Sequence, residues 1–440
     1  MSAAPSDRLP GEETGQAPGC PAAAGGVRDR GDGRFAGAVR LYGPEVEGDF
    51  ARVEAHLRGL YGPVAPVLLP GDVPAWLLLG YEVNQTAMRG WPVPFSRDPR
   101  NWNQSLGPDH PLAPLTTWAP LPNLTDGDEH ERLRGAITHA LAGFDRRLVS
   151  ELAAGHAHRL VDGFAPAGSA DLATYAEELP LRVIADLLGM APEQVPYLVS
   201  LVRDTVTGSP SAASSHQRID VLLDDLIALK LAQPGIDITT FLIQYKVRPR
   251  PGRAAAFAGE VGHEELRQQL RLLLTVTGTP TATLLATTLC TLVTSQQVRT
   301  DIETRRMTLA QEVERQLWYK PPFPRLVGRW AMQDTKLGGC HLRKGDMVVH
   351  AIAAANAEVA DRFEGPVHAN SSHLTFSTGD HKCPGQDLGR AIVATGVETL
   401  LARLPDCWLA PGAAVVETQA LMSHTLYSLP VVFSPQQPRA

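Results

Sequence analysis

The run LLLTVTGTPTATLLATTLCTLVTS, Leu272 to Ser295, carries no charged residue over 24 positions. A stretch of that length is long enough to cross a bilayer or to thread the middle of a large core. Nine of its residues are threonine, Gly278 and Pro280 interrupt it, and the amphipathic GHEELRQQLR leads into it. Hydroxyls and helix breakers dilute its hydropathy, which favours a core helix over a membrane span. The sequence therefore predicts a long helix through the protein's own centre, and no membrane span.

A buried helix of that size needs a large domain around it, and 440 residues supply one. The first 37 residues are rich in Gly, Pro, Ala and charge, bury too little apolar surface to offset ordering entropy, and read as a disordered tail. From residue 38 to 440 no second linker or internal repeat appears, so the remainder reads as one domain. Short β-rich runs in YGPVAPVLLPGDVPAWLLLGYEV predict a small sheet. Apolar spacings of three and four near 128–153 and 172–203 predict successive amphipathic helices, as does the stretch Gln386 to Leu404. After residue 320 the chain, DMVVHAIAAAN included, reads as strand and loop. The picture is mainly α with small β-sheets.

A net charge of −7 excludes a general nucleic-acid binder, which needs a clustered basic surface. Five scattered cysteines, Cys20, Cys290, Cys340, Cys383 and Cys407, form no CxxC pair and no disulfide ladder. That pattern suits a reduced, cytoplasmic protein.

One of them is framed with care. In FSTGDHKCPG, Phe376 to Gly385, Gly379 permits a turn, Cys383 follows, and a helix start near Gln386 aims N–H groups at the sulfur. Phe376 supplies an apolar wall and Gly385 lets the following helix approach. Such framing suits a thiolate that ligates iron, which needs dryness and backbone donors. Two other readings stand beside it: a buried structural cysteine, and zinc held by Cys340, His341, His381 and Cys383, whose spacings match zinc sites poorly.

The pattern Phe376-x-x-Gly379-x-His381-x-Cys383-x-Gly385 resembles the haem-binding loop of the cytochromes P450. The resemblance extends along the chain in order. LPGDVPAWLLLGYEV looks like the family's first sheet, FSRDP its B-helix region, DGDEHERLR its C helix and LLLTVTGTPTAT its I helix. ERQLWYKPPFP and GRWAMQDTKLGG look like its K helix and the following strand. It implies the cytochrome P450 fold, haem b as cofactor with Cys383 as iron ligand, and His130, Arg134, Arg329 and His381 as propionate ligands. Phe376, Gly379 and Gly385 complete the cofactor loop. The implied activity is a haem-thiolate monooxygenase that inserts one oxygen atom from O2 into an apolar or amphipathic small molecule. Its electrons would come from a ferredoxin and a ferredoxin reductase.

Two departures qualify that implication. Glu312-x-x-Arg315 matches the family's K-helix Glu-x-x-Arg, but it lies about a turn too early relative to Pro321-Pro322. Glu314 to Trp318, ERQLW, instead resembles an actinobacterial subfamily whose K helix ends in Leu-Trp without the arginine. By that resemblance Arg315 is an ordinary exposed helical charge. In the I helix, aligned on Gly278, the family's acid-threonine pair is replaced by Pro280-Thr281. The proline frees the Val276 carbonyl and keeps an opening in the helix, but it carries no proton. Thr277, Thr279 and Thr281 remain as hydroxyl relays, unless they bond back to their own helix. These departures also favour an alternative, a haem-thiolate ligand-binding or regulatory protein with little turnover, since relatives of the Leu-Trp type are associated with small-GTPase signalling. Trp102, Leu106, Leu112, Leu115 and Trp118, in the B–C loop, read as an apolar pocket roof or equally as core.

Overall fold

A computed structural model of the protein describes residues 33–89, 94–206, 211–246 and 261–439. All but the last five positions of the expected tail lie outside that description. Of those five, Gly33–Phe35 form a 3-10 turn, and the buried Arg34 guanidinium grips Asp346 at 2.5 and 3.0 Å. The ordered chain thus includes residues placed before the expected boundary.

The uncharged run lies within a single helix, His263–Thr294, called the central helix below. Of its most apolar 18-residue window, 61% is buried inside the protein, as befits a core helix. Its flanks are the helices Leu172–Leu188 and Gln386–Arg403, which bury Leu179, Leu181 and Ile184 on one side and Ile392, Val393 and Val397 on the other. The apolar spacing expected over 128–153 resolves into two helices, Gly127–Leu141 and Arg146–Phe164. The second begins where Asp145 accepts the Leu148 N–H at 2.8 Å, an N-cap that ends the intervening turn.

The main sheet has six strands in the order Val39–Arg40, Val64–Leu69, Val73–Leu78, Met347–His350, Leu326–Ala331 and Phe95–Ser96. Parallel pairing of Trp76 with Val348 joins its early and late halves, and Leu326–Ala331 runs antiparallel to Met347–His350. That last pair carries a bulge between Val327 and Arg329, with Gly328 at φ +97°. The expected strand and loop of DMVVHAIAAAN is half strand only. Met347–His350 is a strand, but Ile352–Ala360 is a helix, because an alanine-rich run favours helix once past the sheet edge.

Two further expectations change. Trp102 and Leu112 join Val327, Trp330 and Met347 in an apolar cluster, with Leu106 and Leu115 packed against it. Trp118 is exposed beneath the Arg100 guanidinium. This loop supplies core, not a pocket roof, since one face of the sheet needs covering. Cys340, wholly buried beside Val64, is disulfide-bonded rather than a free thiol.

Candidate active site

The Cys383 loop is built by two unusual backbone positions. Ser377 sits at φ 59°, ψ −175°, and Gly379 at φ +69°. A Cβ at Gly379 would stand 2.3 Å from the Arg89 carbonyl oxygen, so only glycine fits. The chain then returns, and the Cys383 N–H donates to the Phe376 carbonyl at 2.8 Å. The helix Gln386–Arg403 starts just beyond. A Cβ at Gly385 would meet open space, so the close approach expected of it is absent; its contribution is the N–H that bonds the sulfur. Burial pushes the Cys383 thiol up, while that N–H and the nearby Arg134 and Arg390 pull it down.

Four predicted cofactor residues converge from three elements. The His130 and His381 rings lie 4.3 Å apart, and Arg134, one turn beyond His130, donates to the Lys382 carbonyl. His381 Nε2 meets Asp126 Oδ1 at 3.0 Å. Arg329 enters from the bulged strand, 1% exposed, with one long bond of 3.4 Å to the Met88 carbonyl. Its Nε and Nη1, and His130 Nε2, are buried without partners.

The sequence reading missed Arg97, which no motif marks. It is 9% exposed, and its side chain donates to the carbonyls of Asn123, Val327 and Gly328. Burial pushes Arg329 down to about 9, with the Arg97 charge adding to the effect, and burial pushes Arg97 down to about 10. Burial likewise takes His381 down to about 3 despite Asp126. Although burial opposes it, hydrogen bonds from His381 and Ser96 hold Asp126 down at about 2. Two buried guanidiniums thus share one well-held carboxylate, and three nitrogens, two of Arg329 and one of His130, have no partner among the described residues. A buried dianionic ligand fits this excess of positive charge. The two propionates of haem meet that description.

On the other side of the loop the central helix passes close. A Cβ at Gly389, on the helix after Cys383, would lie 3.7 Å from Thr281 Oγ1. Gly278 faces Leu181, whose Cδ2 would stand 2.6 Å from an added Cβ, so this glycine seats the neighbouring helix. The threonines divide sharply. Thr275, Thr287, Thr288, Thr291 and Thr294 donate to carbonyls three or four residues back. Thr277, Thr279, Thr281 and Thr283, which flank Pro280, make no such bond among the described residues. The helix nevertheless runs on from His263 to Thr294 past Pro280, which has no N–H to give the Val276 carbonyl.

The helix Leu309–Tyr319 holds two acid networks. Glu312, wholly buried, accepts Arg315 through two bonds of 2.7 and 2.8 Å, and Gln316 at 2.6 Å. Glu314 accepts His373 Nε2 at 2.9 Å and two nitrogens of Arg390 at 3.1 and 3.2 Å. Arg390 stacks on the Phe376 ring, 4.5 Å from its centroid. Among the described residues no group of three or more His, Cys, Asp or Glu could hold a metal ion, so the zinc set is not assembled.

Comparison with known proteins bears on the chain as a whole. No family model matches the chain. It is 26% identical over 389 residues to 2-hydroxy-5-methyl-1-naphthoate 7-hydroxylase of Streptomyces carzinostaticus, covering 84% of this chain and 90% of that one. It is 28% identical to mycinamicin IV hydroxylase/epoxidase of Micromonospora griseorubida, covering 86% and 96%. Among solved structures, CYP154A1 of Streptomyces coelicolor superposes with a TM-score of 0.71 at 26% identity, covering 88% of this chain and 98% of that one. The bacillaene-synthase P450 PksS of Bacillus subtilis superposes at 0.75 and 23% identity over 89% and 98%. The mainly helical fold, with small sheets around a central helix and a framed cysteine, is that of the haem-thiolate oxygenases. In sequence and fold the chain is similar to the bacterial cytochromes P450, haem proteins whose named relatives here are hydroxylases and monooxygenases.

Proposed function

We propose that this enzyme oxygenates an apolar or amphipathic small molecule with electrons from a ferredoxin and its reductase. Cys383 is the iron ligand in this reading, and Arg329, His130, Arg134 and His381 hold the propionates. The observation that carries it is the set of buried donors without partners on Arg329 and His130, beside a thiol that burial alone leaves protonated. Haem bound there supplies the activation of dioxygen for insertion of one atom into substrate. The protein's own residues wall the thiolate with Phe376, aim the Gly385 N–H at its sulfur and present Thr281 Oγ1 as a hydroxyl free to hold water. The electron donor docks on the Cys383 side, over a cleft of about 510 Å³ lined by Lys382, Gln386 and Arg390. The Glu314 network beside that loop, with Trp318 buried behind it, supports ERQLW as the K-helix register, in place of Glu312 and Arg315.

Pro280 favours a second reading. Without a carboxyl group before Thr281, turnover is slow, and the protein serves mainly as a ligand-binding partner in a regulatory assembly of the small-GTPase type. Reduced-CO difference spectroscopy on the wild type and Cys383→Ser tests the shared claim: the thiolate-type Soret band should appear in the first and vanish in the second. A band that survives in Cys383→Ser ends the thiolate assignment. NADPH consumption and product formation across a small-molecule library separate the two readings.

A further inference from the structure

We propose that Arg97 is a positioning residue for the carboxylate-binding arm of the site, acting through the bulge that carries Arg329. The proposal rests on the haem reading above and adds a residue to it. Arg97 Nη1 donates to both Val327 O at 3.1 Å and Gly328 O at 2.7 Å, and Nε donates to Asn123 O at 3.2 Å. Val327 and Gly328 are the two residues just before Arg329, at the place where the strand's register shifts. A bulge inserts one residue and re-aims the side chain that follows it. Here the bulge needs Gly328 at φ +97°, and a Cβ there would stand 3.3 Å from the Leu115 carbonyl oxygen and 3.6 Å from Arg97 Nη1.

Two carbonyls at the register shift therefore converge on one guanidinium nitrogen. Removing that nitrogen leaves both oxygens buried without it, and the strand can recover pairing only by relaxing the bulge. Relaxation would swing Arg329, which is otherwise tethered only by the long bond to Met88 O. The backbone of Arg97 serves the second arm of the site. Its N–H donates to Asp126 Oδ2 at 3.0 Å, and Asp126 Oδ1 faces His381 Nε2. One residue just beyond a short edge strand thus ties together cofactor groups more than two hundred positions further along the chain. Arg97 Nη1 and Nε are committed to carbonyls, so in this scheme the guanidinium acts through the backbone it holds.

The test compares two cofactors in the full chain: haem, and haem dimethyl ester, whose carboxylates are capped. Loss of each to excess apomyoglobin is timed for the wild type, Arg97→Ala, Arg97→Lys, Arg329→Ala and the double variant. Arg97→Ala should speed haem loss by about tenfold or more, the scale set by unpaired buried groups. Arg97→Lys should recover part of this, since an ammonium can reach both carbonyls. The double variant should lose haem no faster than Arg329→Ala alone, and the Arg97→Ala effect should vanish with the dimethyl ester. Equal acceleration with both cofactors, additive rates in the double variant, or a wild-type rate in Arg97→Ala each overturns the assignment. Should Arg97→Ala fail to fold, the ester comparison on Arg97→Lys decides the matter in the same way. A wild type that takes up no haem overturns the haem reading itself, an outcome distinct from any of these.

Discussion

Trp318 donates its indole N–H to the Asn370 carbonyl at 2.7 Å from a wholly buried position, and its ring meets His373 edge-on at 5.7 Å. That pairing bolts the end of the Leu309–Tyr319 helix to the segment leading into the cysteine loop. Trp318→Ala should cost about 3–5 kcal/mol by cavity formation. Arg315 is not the bystander its position suggested, because it is bidentate to a wholly buried Glu312. Arg315→Ala should cost about 1–3 kcal/mol, the penalty of leaving that carboxylate short of partners. Urea unfolding of the two variants gives the ranking, and a larger loss in Arg315→Ala would move the structural centre of this helix to Glu312 and Arg315.

Ser377 adopts φ 59°, ψ −175°, a region glycine occupies freely and a Cβ does not. Ser377→Gly should stabilise the protein by about 1 kcal/mol, the relief of strain partly offset by glycine's unfolded-state freedom. A lower midpoint of urea unfolding in Ser377→Gly would show that the loop is held for reasons other than backbone strain.

Pro280 stands where a proton donor is wanted, and its neighbours' hydroxyls are not spent on the helix. Coupling of NADPH oxidation to product should be poor in the wild type and poorer in Thr281→Ala. Pro280→Glu should improve it, since general acid catalysis is worth about 10²–10⁴-fold. Tight coupling that survives Thr281→Ala would assign proton delivery to another group.

His350 gives the protein a pH dependence of defined sign. Burial, with Arg329 and Arg97 nearby, holds this histidine well below its ordinary value. Its Nδ1 lies 2.8 Å from Asn84 Oδ1, while the Asn84 amide nitrogen donates to the Leu78 and Gly80 carbonyls, which leaves Oδ1 to accept from a neutral ring. The folded state keeps His350 neutral, and the unfolded state takes up a proton below about pH 6.5. Its contribution is therefore complete above that pH and falls by up to about 1.4 kcal/mol per unit below it. Denaturation curves from about pH 7.5 to about pH 5 should show this slope, and His350→Gln should flatten it. An unchanged slope in the variant would place the proton uptake elsewhere.

How far the sequence speaks depends on whether a feature is local. The central helix, the Cys383 turn and the His130–Arg134 pair each occupy one short stretch, so spacing and residue type disclose them. Arg97 does not disclose itself. Its partners are backbone carbonyls at residues 123, 327 and 328, and any side chain can bring a carbonyl to that place. The pairing of Glu314 with Arg390 is hidden for the same reason, since it joins two helices whose approach only the fold determines. Ile352–Ala360 escaped because an alanine-rich run following a strand carries no periodic signal. Trp102 and Leu112 were legible as apolar but not as to which apolar surface they cover.

The parallel pairing of Trp76 with Val348 sets the order in which the molecule can be made. A ribosome delivers Arg97, His130 and Arg134 early, yet the strand that carries Arg329 and the loop that carries His381 and Cys383 emerge only near the end of synthesis. Contacts between segments so distant form late and slowly. In the haem reading, the residues that would hold the cofactor come together only once this last part of the chain has joined the sheet.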